Sequence, residues 1–410
     1  MSAVKYNLET SVDQGEDGGS RAVADAECND NLHLWHNKQE PWATLQSGWS
    51  YPIQSETFRH WVTGEFVRGG GGKITKTKID AVISDFTARA LFGNDGLGAE
   101  EYEVHLRFAP DGDGGAYLDM ADAAGRAIHI TRAGWEVVAK PPVKFYRPPN
   151  MLPLPEPDRE GADVMLLYDL LNLHDPAEFK LLATTLSYYL LPDKSYPINL
   201  FIGGEGTAKS WATRLVRNVI EPSQVPLVGM PRGTDLVAFA KNHAVLCFDN
   251  VSKLPEWLQD ELCRAATGGG FGGRKYYTND GDASFHASRP IIMNGITDFA
   301  TRPDLANRCI SFRLAEVTER KTETELREAF AKAHPKILAG LLDATVDGLR
   351  RLPEVAAERR FSFASPTLRF GATLLPQRWD GRRRSSSQRT RPARRRPQKQ
   401  CLTLIQWPQS

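Results

Sequence analysis

The sequence predicts an α/β protein with a parallel-sheet core and a helical lid, preceded by a small α+β domain. Three continuous apolar runs that end in polar residues predict buried strands, at residues 197–204, 244–250 and 289–295. Helical patterns lie around these runs, and such alternation is typical of a parallel sheet. From Glu319 to Leu352 the pattern is purely helical, which predicts the lid.

The charge of the chain is unevenly distributed. Its 410 residues include 51 Lys and Arg and 50 Asp and Glu, a formal net charge of +1. Residues 361–410 hold ten Arg, one Lys and one Asp, a net charge of +10, so the remaining 360 residues have a net charge of −9. The length and a hydrophobic content of 41% suit two or three globular domains and exclude a wholly disordered or fibrous chain.

The sequence favours the reducing cytoplasm. The first twenty residues are polar and acidic and lack the apolar stretch of a secretory signal. The longest apolar run, Phe179 to Leu191, is too short and too polar to cross a bilayer. Five scattered cysteines without a CxxC pair predict neither a zinc site nor a disulfide framework.

The region before the core predicts a small α+β domain. Short β-like runs occur at 102–108, 116–120, 127–131 and 135–138, separated by Gly and Asp turns. A helical pattern precedes them at 76–92. Four tryptophans crowd the start of the domain; stacking on bases or sugars is one use for them, and packing is the favoured one. They are Trp35, Trp42, Trp49 and Trp61.

Composition suggests six segments. The acidic start and the basic end are too polar to bury a core, and prolines between 140 and 157 favour extended chain. Helical patterns at 165–173 and 177–191 lead into the core. The predicted segments are a disordered arm (1–31), the α+β domain (32–147), a proline-rich linker with a helical lead-in (148–197), the core (198–316), C-terminal helices (317–360) and a basic low-complexity tail (361–410).

A glycine-rich loop follows the first apolar strand and precedes a helical stretch. Glycines allow backbone N–H groups to converge on a phosphate, a lysine reaches the β- and γ-phosphates, and a hydroxyl binds Mg²⁺. Alanine stands where the GxxxxGK[ST] pattern has glycine, and a positive φ there would cost about 1 kcal/mol. A plain glycine-rich turn is the alternative. The loop consists of Gly203, Gly204, Glu205, Gly206, Thr207, Ala208, Lys209 and Ser210.

The second and third apolar strands end in residues suited to the same site. Asp249 follows the second strand, where a carboxylate holds Mg²⁺ in nucleotide hydrolases; a simple Asp-Asn turn is the alternative. Asn250 comes next, and its amide can orient a water molecule but cannot act as a base. Asn294 ends the third strand, where it would touch the γ-phosphate or the water. Arg308 follows at the start of another β-like run and would reach the γ-phosphate of a neighbouring subunit.

These motifs, in this order, resemble the P-loop NTPase core of AAA+ proteins. Residues 199–314 are most similar to superfamily 3 helicases and to poxvirus- and phage-type primase–helicase ATPases of mobile elements. The motifs are GGEGTAKS, AVLCFDN, LCRAATGGGFGGRKYYTND, RPIIMNGI and RPDLANRCISF. The resemblance extends with less specific sequence over residues 32–356. Ala208 and Asn250 depart from the pattern.

The resemblance implies a ring-forming, hexameric ATPase that uses ATP and Mg²⁺ and acts on single-stranded DNA. It implies a hairpin between the Asp249 and Asn294 strands that enters a central channel. Arg274 and Lys275 fall there, beside Tyr276 and Tyr277, and charge next to aromatic rings suits contact with a nucleic-acid backbone. A solvated glycine-rich loop is the alternative. Ser210 and Asp249 would hold the metal.

The basic tail has two interpretations. One is a native arm that binds DNA through charge and is sensitive to salt. The other is a frameshift product, because SPTLRFGAT (365–373) can be encoded by DNA whose other frame reads LADFALWGD, an amphipathic helical pattern.

The predicted function is that of an ATP-hydrolysing, helicase-like motor in mobile-element DNA replication. The alternatives are an ATP-dependent binding or switch protein with little turnover, which Ala208 and Asn250 favour, and a truncated inactive relative.

Overall fold

The computed structural model describes residues 32–69, 73–93, 98–231, 235–269, 271–273, 283–285, 288–318 and 320–357. The arm at 1–31 and the tail at 361–410 lie outside these ranges, so the predictions about both segments stay predictions. Within the described ranges, no helix combines the length and the apolar character that a membrane crossing requires.

The N-terminal part begins with a three-stranded antiparallel sheet against which two helices pack. Ser55 Oγ caps the first helix by accepting a hydrogen bond from Phe58 N, and Thr75 Oγ1 caps the second by accepting one from Lys78 N. The second helix spans the predicted range. These elements are β1 (Leu32–Asn37), β2 (Glu40–Leu45), β3 (Ser50–Pro52), α1 (Glu56–Arg68) and α2 (Lys76–Phe92).

The tryptophans at the start of this domain pack rather than face solvent. Trp35 and Trp42 lie opposite each other on β1 and β2, are 0% and 4% exposed, and stack with ring centroids 5.5 Å apart. Trp61 packs against the core between the sheet and the helices. Trp49 donates to the Asp122 carbonyl and lies under the Arg147 guanidinium. Packing is therefore the use that their burial supports.

A second antiparallel sheet follows, in the order β5-β6-β7-β8, with a short parallel pair β4-β9 beside it. Strands β6, β7 and β8 match the β-like runs at 116–120, 127–131 and 135–138 to within one residue, whereas the run at 102–108 is divided between β4 and the first residue of β5. Asp119 is fully buried at the end of β6 and accepts two hydrogen bonds from Arg147, of 2.6 and 2.8 Å. The elements are β4 (Val104–His105), β5 (Phe108–Pro110), β6 (Ala116–Asp119), β7 (Ala127–Ile130), β8 (Trp135–Val138) and β9 (Lys144–Phe145).

The C-terminal half is built on a parallel sheet, as the sequence predicts, and the strand order in this sheet is β11-β14-β10-β15. An antiparallel pair, β12-β13, lies between β11 and β14 in the chain. The elements are α3 (Met165–Tyr168), α4 (Pro176–Tyr189), β10 (Ile198–Ile202), α5 (Lys209–Ile220), α6 (Asp235–Asn242), β11 (Leu246–Phe248), α7 (Glu256–Thr267), β12 (Phe271–Gly273), β13 (Ala283–Phe285), β14 (Ile291–Gly295), α8 (Pro303–Ala306), β15 (Cys309–Arg313) and α9 (Glu323–Ala357).

Helices cover both faces of the parallel sheet. On one face α4, α5 and α9 pack against alternate strand residues such as Phe201 and Phe312. On the other face α6, α7 and α8 pack against the intervening residues, such as Leu200 and Met293. Because both faces are buried, the strands read as continuous apolar runs, which explains why the sequence revealed them.

Two helices differ from the sequence prediction. The helix predicted at 165–173 ends at Tyr168, because the backbone from Asn172 to His174 pairs instead with Arg313 at the end of β15 and with Ala315 just after it. The C-terminal pattern forms one helix of 35 residues, Glu323–Ala357, that passes through Pro335. The carbonyls of Pro335 and Lys336 accept hydrogen bonds from Asp158 N and Asp163 N, both 3.1 Å, so the linker segment binds this part of the helix.

Candidate functional site

The predicted site lies at the carboxyl edge of the parallel sheet. Strands β10, β11, β14 and β15 are parallel, so the residues that follow them lie along one edge. The chain leaves β10 near the centre of the sheet, reaches β11 on one side and later forms β15 on the other. In open α/β sheets, ligands bind outside the carboxyl ends of the strands, where the direction of winding changes. The loop after β10 occupies this position.

The loop from Gly203 to Ala208 turns tightly between β10 and α5. Gly206 has a φ of 75°, and Ala208 has a φ of 53° and a ψ of 35°, so both are left-handed. Ala208 is therefore the strained residue that the sequence suggested, at a cost of about 1 kcal/mol relative to glycine. Gly204, Glu205 and Gly206 are exposed at the tip. Alternating backbone conformations of this kind direct N–H groups into an anion-binding concavity.

The lysine at the start of α5 lies across the loop. Lys209 Nζ donates hydrogen bonds of 2.9 Å to the Gly203 carbonyl and 2.5 Å to the Gly204 carbonyl. Thr207 Oγ1 also donates to the Gly204 carbonyl, at 2.9 Å. The ammonium group therefore lies at the N-terminus of a twelve-residue helix, where unpaired N–H groups and the helix dipole both favour an anion.

Side chains from α5, β11 and β14 form one hydrogen-bonded group beside the lysine. Ser210 Oγ donates to Asp249 Oδ1 at 2.7 Å, and Asn294 Nδ2 donates to the same oxygen at 2.7 Å. Asn294 is 1% exposed. Gly295 follows it where a Cβ would lie 2.4 Å from the Val251 carbonyl, so only glycine lets the two backbones approach. The hydroxyl and carboxylate oxygens of Ser210 and Asp249 are ligands that suit Mg²⁺.

Asn250 has a strained backbone next to this group. Its φ is 53°, and its N–H donates to Asn294 Oδ1 at 3.0 Å. The Asn294 amide therefore binds both residues that follow β11, Asp249 through its nitrogen and Asn250 through its oxygen. The sequence predicted that the Asn250 side chain orients a water molecule. An amide at this position can orient the water but cannot accept a proton from it.

Two residues that the sequence analysis did not select also contact the site. Thr213 Oγ1 accepts a hydrogen bond of 3.0 Å from Asn294 Nδ2 and donates one to the Lys209 carbonyl. Thr213 lies one helical turn after Lys209 on the same helix, so helical spacing in the sequence could have identified it as a residue of the site. Asn172 Nδ2 donates to the Thr207 carbonyl at 2.8 Å and to the Ala315 carbonyl at 2.6 Å. Nothing in the sequence around Asn172 indicates this contact.

Arg308 is not part of the cluster. The register pairs Cys309 with Ile198, the first residue of β10, so Arg308 lies at the opposite end of the strands from the loop. Five strand residues separate these ends by about 13 Å. Its guanidinium pairs with Asp304 at 3.3 Å, and its buried Nε has no hydrogen-bond partner. Within its own chain, Arg308 is therefore unsuited to touching a ligand of the loop, and its role toward a neighbouring subunit stays a prediction.

The predicted DNA-contacting residues, Arg274 and Lys275, lie outside the described residues. The backbone on either side forms the antiparallel pair β12-β13, with Gly273 opposite Ala283. A hairpin stem between the Asp249 and Asn294 strands agrees with the sequence expectation, and the DNA contact stays a prediction.

Two buried thiols in this half of the protein are not nucleophiles. Cys247 lies two residues before Asp249, and burial raises the pKa of its thiol to about 12. Burial also raises the pKa of Cys263 to about 11. Both thiols are therefore neutral near pH 7, and a neutral thiol is a weak nucleophile and a poor metal ligand. Among the described residues, no cluster of three or more His, Cys, Asp or Glu could hold a metal.

The fold and the site define an α/β protein whose glycine-rich loop, helix N-terminus and two strand ends form one polar site at the carboxyl edge of a parallel sheet. A family model described as actinomycete integrative conjugative element replication protein matches residues 164–369. The chain belongs to this family. The match includes the loop, Asp249, Asn294 and Arg308, and it excludes the α+β domain.

Two solved structures are similar to this chain at low sequence identity. One is described as the A form apo structure of the NrS-1 C terminal region; it is 14% identical, with 81% of this chain and 76% of that chain covered, and the TM-score is 0.46. The other is described as SCCmec type IV Cch, active helicase; it is 13% identical, with 83% and 67% covered, and the TM-score is 0.41. Likeness at this level does not establish a function. No match is found among curated proteins.

Proposed function

We propose that this chain is an ATP- and Mg²⁺-dependent, helicase-like motor that acts on DNA during the replication of an integrative element. The observation that carries the proposal is the arrangement of Lys209, Ser210 and Asp249 at the N-terminus of α5, with Asn294 bound to the same carboxylate oxygen. A loop, a lysine, a hydroxyl and a strand-end carboxylate in this arrangement suit the phosphates and metal of a nucleotide. The family supplies the link with replication.

The proposed roles follow from position. The loop backbone with Thr207 and Lys209 binds the phosphates, Lys209 reaches the β- and γ-phosphates, and Ser210 and Asp249 hold Mg²⁺. The bound metal would offset charge on the phosphate oxygens. Asn294 fixes the Asp249 carboxylate and, with the Asn250 side chain, positions the attacking water.

The proposal includes a homo-oligomeric ring of the superfamily 3 and AAA+ type in the cytoplasm. Arg308 lies too far from the loop of its own chain, so it acts on the nucleotide of an adjacent copy. Arg274 and Lys275 contact single-stranded DNA from the hairpin.

A second candidate is an ATP-dependent binding or switch protein with little turnover. Asn250 favours it, because an amide cannot accept a proton from the attacking water and general-base catalysis typically contributes 10²–10⁴-fold to a rate. The sequence alone counted Ala208 in favour of this candidate as well, but the left-handed backbone of Ala208 affects binding of the phosphates in both candidates and does not separate them.

ATP turnover by the full chain, measured with Mg²⁺ and with or without single-stranded DNA, distinguishes the candidates. The matched control is Lys209→Ala, which removes the ammonium at the loop. We expect turnover by the wild type that single-stranded DNA stimulates, and at least about a 100-fold loss in the variant.

Other outcomes would contradict the motor. If the wild type binds ATP in a manner that requires Lys209 but shows no turnover with or without DNA, the switch protein is the correct candidate. If the wild type and Lys209→Ala bind ATP equally weakly, the nucleotide site itself is wrong, and an inactive relative remains.

A further inference from the structure

Asn172 lies outside the loop motif but contacts its backbone. The segment that contains it runs antiparallel to the end of β15, where Leu173 bridges Leu314, and His174 N donates to the Arg313 carbonyl at 2.8 Å. Ala315 N donates to the Asn172 carbonyl at 2.8 Å. Asn172 is therefore fixed by its own backbone at the edge of the sheet, next to the loop.

Both hydrogens of the Asn172 amide group are used. One is donated to the Thr207 carbonyl at 2.8 Å and the other to the Ala315 carbonyl at 2.6 Å. The side chain thus joins the loop to the segment after β15. That segment is itself held to β10, because Leu314 N donates to the Ile202 carbonyl at 2.9 Å.

The hydrogen bond to Thr207 fixes the orientation of one peptide group. In a trans peptide, the carbonyl of one residue and the N–H of the next point in opposite directions. When the Thr207 carbonyl points at Asn172, the Ala208 N–H points away from it. Ala208 is also the residue in the left-handed conformation, with a φ of 53°, which alanine adopts at a cost that glycine does not have.

We propose that Asn172 is a positioning residue that holds the Thr207–Ala208 peptide in its strained orientation and so keeps the Ala208 N–H available to a bound phosphate. This inference depends on the proposed function, because it assigns Asn172 to the same nucleotide site. The role of Asn172 also accounts for alanine at position 208. Glycine adopts the left-handed conformation without help, whereas the hydrogen bond from Asn172 to the Thr207 carbonyl stabilises this conformation for alanine.

The test is a double-mutant cycle on nucleotide affinity in the full chain. Asn172→Ala and Asn172→Asp are measured in the wild type and in an Ala208→Gly background, with ATP and with ADP in the presence of Mg²⁺. We expect Asn172→Ala to weaken binding about 10-fold in the wild type and less than about 3-fold when glycine occupies position 208, because coupled residues give non-additive effects.

Asn172→Asp provides the stronger perturbation. Its carboxylate would place two acceptors against the Thr207 and Ala315 carbonyls, so the loss of affinity should exceed that of Asn172→Ala. Asn242→Asp is the matched control, because Asn242 is an exposed residue of α6 whose amide also donates to a backbone carbonyl, that of Ala238, at 3.0 Å. We expect this control to leave both affinities unchanged.

A loss that is equal in both backgrounds would overturn the proposal, because a general structural defect is not relieved by glycine at position 208. Equal losses for ATP and ADP are expected, since the loop backbone cradles phosphates that both contain.

If Asn172→Ala does not fold, Asn172→Ser, which keeps one donor hydrogen, replaces it in the cycle. If the wild type binds neither nucleotide, the proposed function fails first; if it binds and Asn172→Ala binds equally well, only the role of Asn172 fails.

Discussion

Asn294 connects the three parts of the candidate site through a single buried amide. Its nitrogen donates to Asp249 and Thr213, and its oxygen accepts from Asn250 N. Replacing it with alanine leaves the Asn250 N–H without its partner and removes a hydrogen bond from the Asp249 carboxylate. We expect Asn294→Ala to lower ATP turnover by about 100-fold and to destabilise the fold by about 1–3 kcal/mol.

Asn199 offers a matched control for this prediction. It is a fully buried asparagine on the adjacent strand β10, and its amide donates to Thr185 Oγ1 at 3.1 Å, within the packed face of the sheet. Asn199→Ala removes one hydrogen bond and should destabilise the fold by about 1 kcal/mol, while turnover well below the unfolding temperature stays near that of the wild type. A similar loss of turnover in both variants would mean that Asn294 acts only through stability.

The sequence predicted the residues whose chemistry follows directly from a motif. Lys209, Ser210, Asp249 and Asn294 were found from their order along the chain, because parallel strands bring their carboxyl ends to one edge. Asn172 was not found, because it lies more than thirty residues before the loop in the sequence. Its contact with the loop depends on how the segment around Asn172 pairs with the end of β15. Such contacts arise from tertiary structure, and no local pattern records them.

At the scale of elements, a buried ion pair joins α5 to the start of the β11 strand. Glu221 accepts hydrogen bonds from Ala244 N at 2.6 Å and Val245 N at 2.8 Å, and Arg217 donates to it at 3.1 Å. Both side chains are almost fully buried. Helix α5 is thus bound to the same strand at both ends, since Ser210 at its start binds Asp249. This arrangement aligns the two residues that are proposed to hold Mg²⁺.

Glu221→Gln should therefore be costly. The amide nitrogen would face N–H donors, and Arg217 would lose its counter-charge, so we expect a loss of about 3 kcal/mol in the free energy of unfolding, measured by urea denaturation. Glu261→Gln is the matched control, because Glu261 pairs with Arg264 on the exposed face of α7, where such a pair contributes less than about 1 kcal/mol. Equal shifts of the two denaturation midpoints would contradict a structural role for the buried pair.

The accuracy of the predicted elements depends on whether local signals determine their ends. Helix α2 matches its prediction at both ends because Thr75 caps its start and Gly93 follows its end. Helix α4 begins at Pro176 after the cap Asp175, one residue before the prediction. Helix α9 passes through Pro335, where local propensity predicts that a helix ends or kinks. The linker residues Asp158 and Asp163 bind the helix at this point, and such tertiary contacts leave no local signal in the sequence.

At the scale of the whole molecule, the second antiparallel sheet shares a hydrophobic core with the parallel-sheet half. Leu118 and Ile130 of that sheet belong to the same buried cluster as Leu186 of α4 and Leu342 of α9. Trp135 Nε1 also donates to Asp343 on α9 at 3.0 Å. The second antiparallel sheet and the parallel-sheet half therefore share one core where they meet. The domain boundary at residue 147 stays a prediction from composition.

Two buried histidines make the stability of this shared fold depend on pH. His243 accepts a hydrogen bond from Arg217, and burial together with that positive charge lowers its pKa to about 4. His334 donates to the Val219 carbonyl, and burial lowers its pKa to about 4 as well. Unfolded histidine has a pKa of about 6.5, so between pH 6.5 and 4 the unfolded chain binds more protons than the folded one. The stability is therefore complete above pH 6.5 and is lost as the pH falls.

Urea denaturation at pH 7, 6 and 5 tests this dependence. Each histidine should lower the free energy of unfolding by on the order of 2 kcal/mol between pH 7 and pH 5. His243→Asn and His334→Gln keep a hydrogen-bonding atom but do not titrate, so each should remove its own share of the slope, whatever it costs at pH 7. A slope that survives in the double variant His243→Asn/His334→Gln would assign the acid sensitivity to other groups.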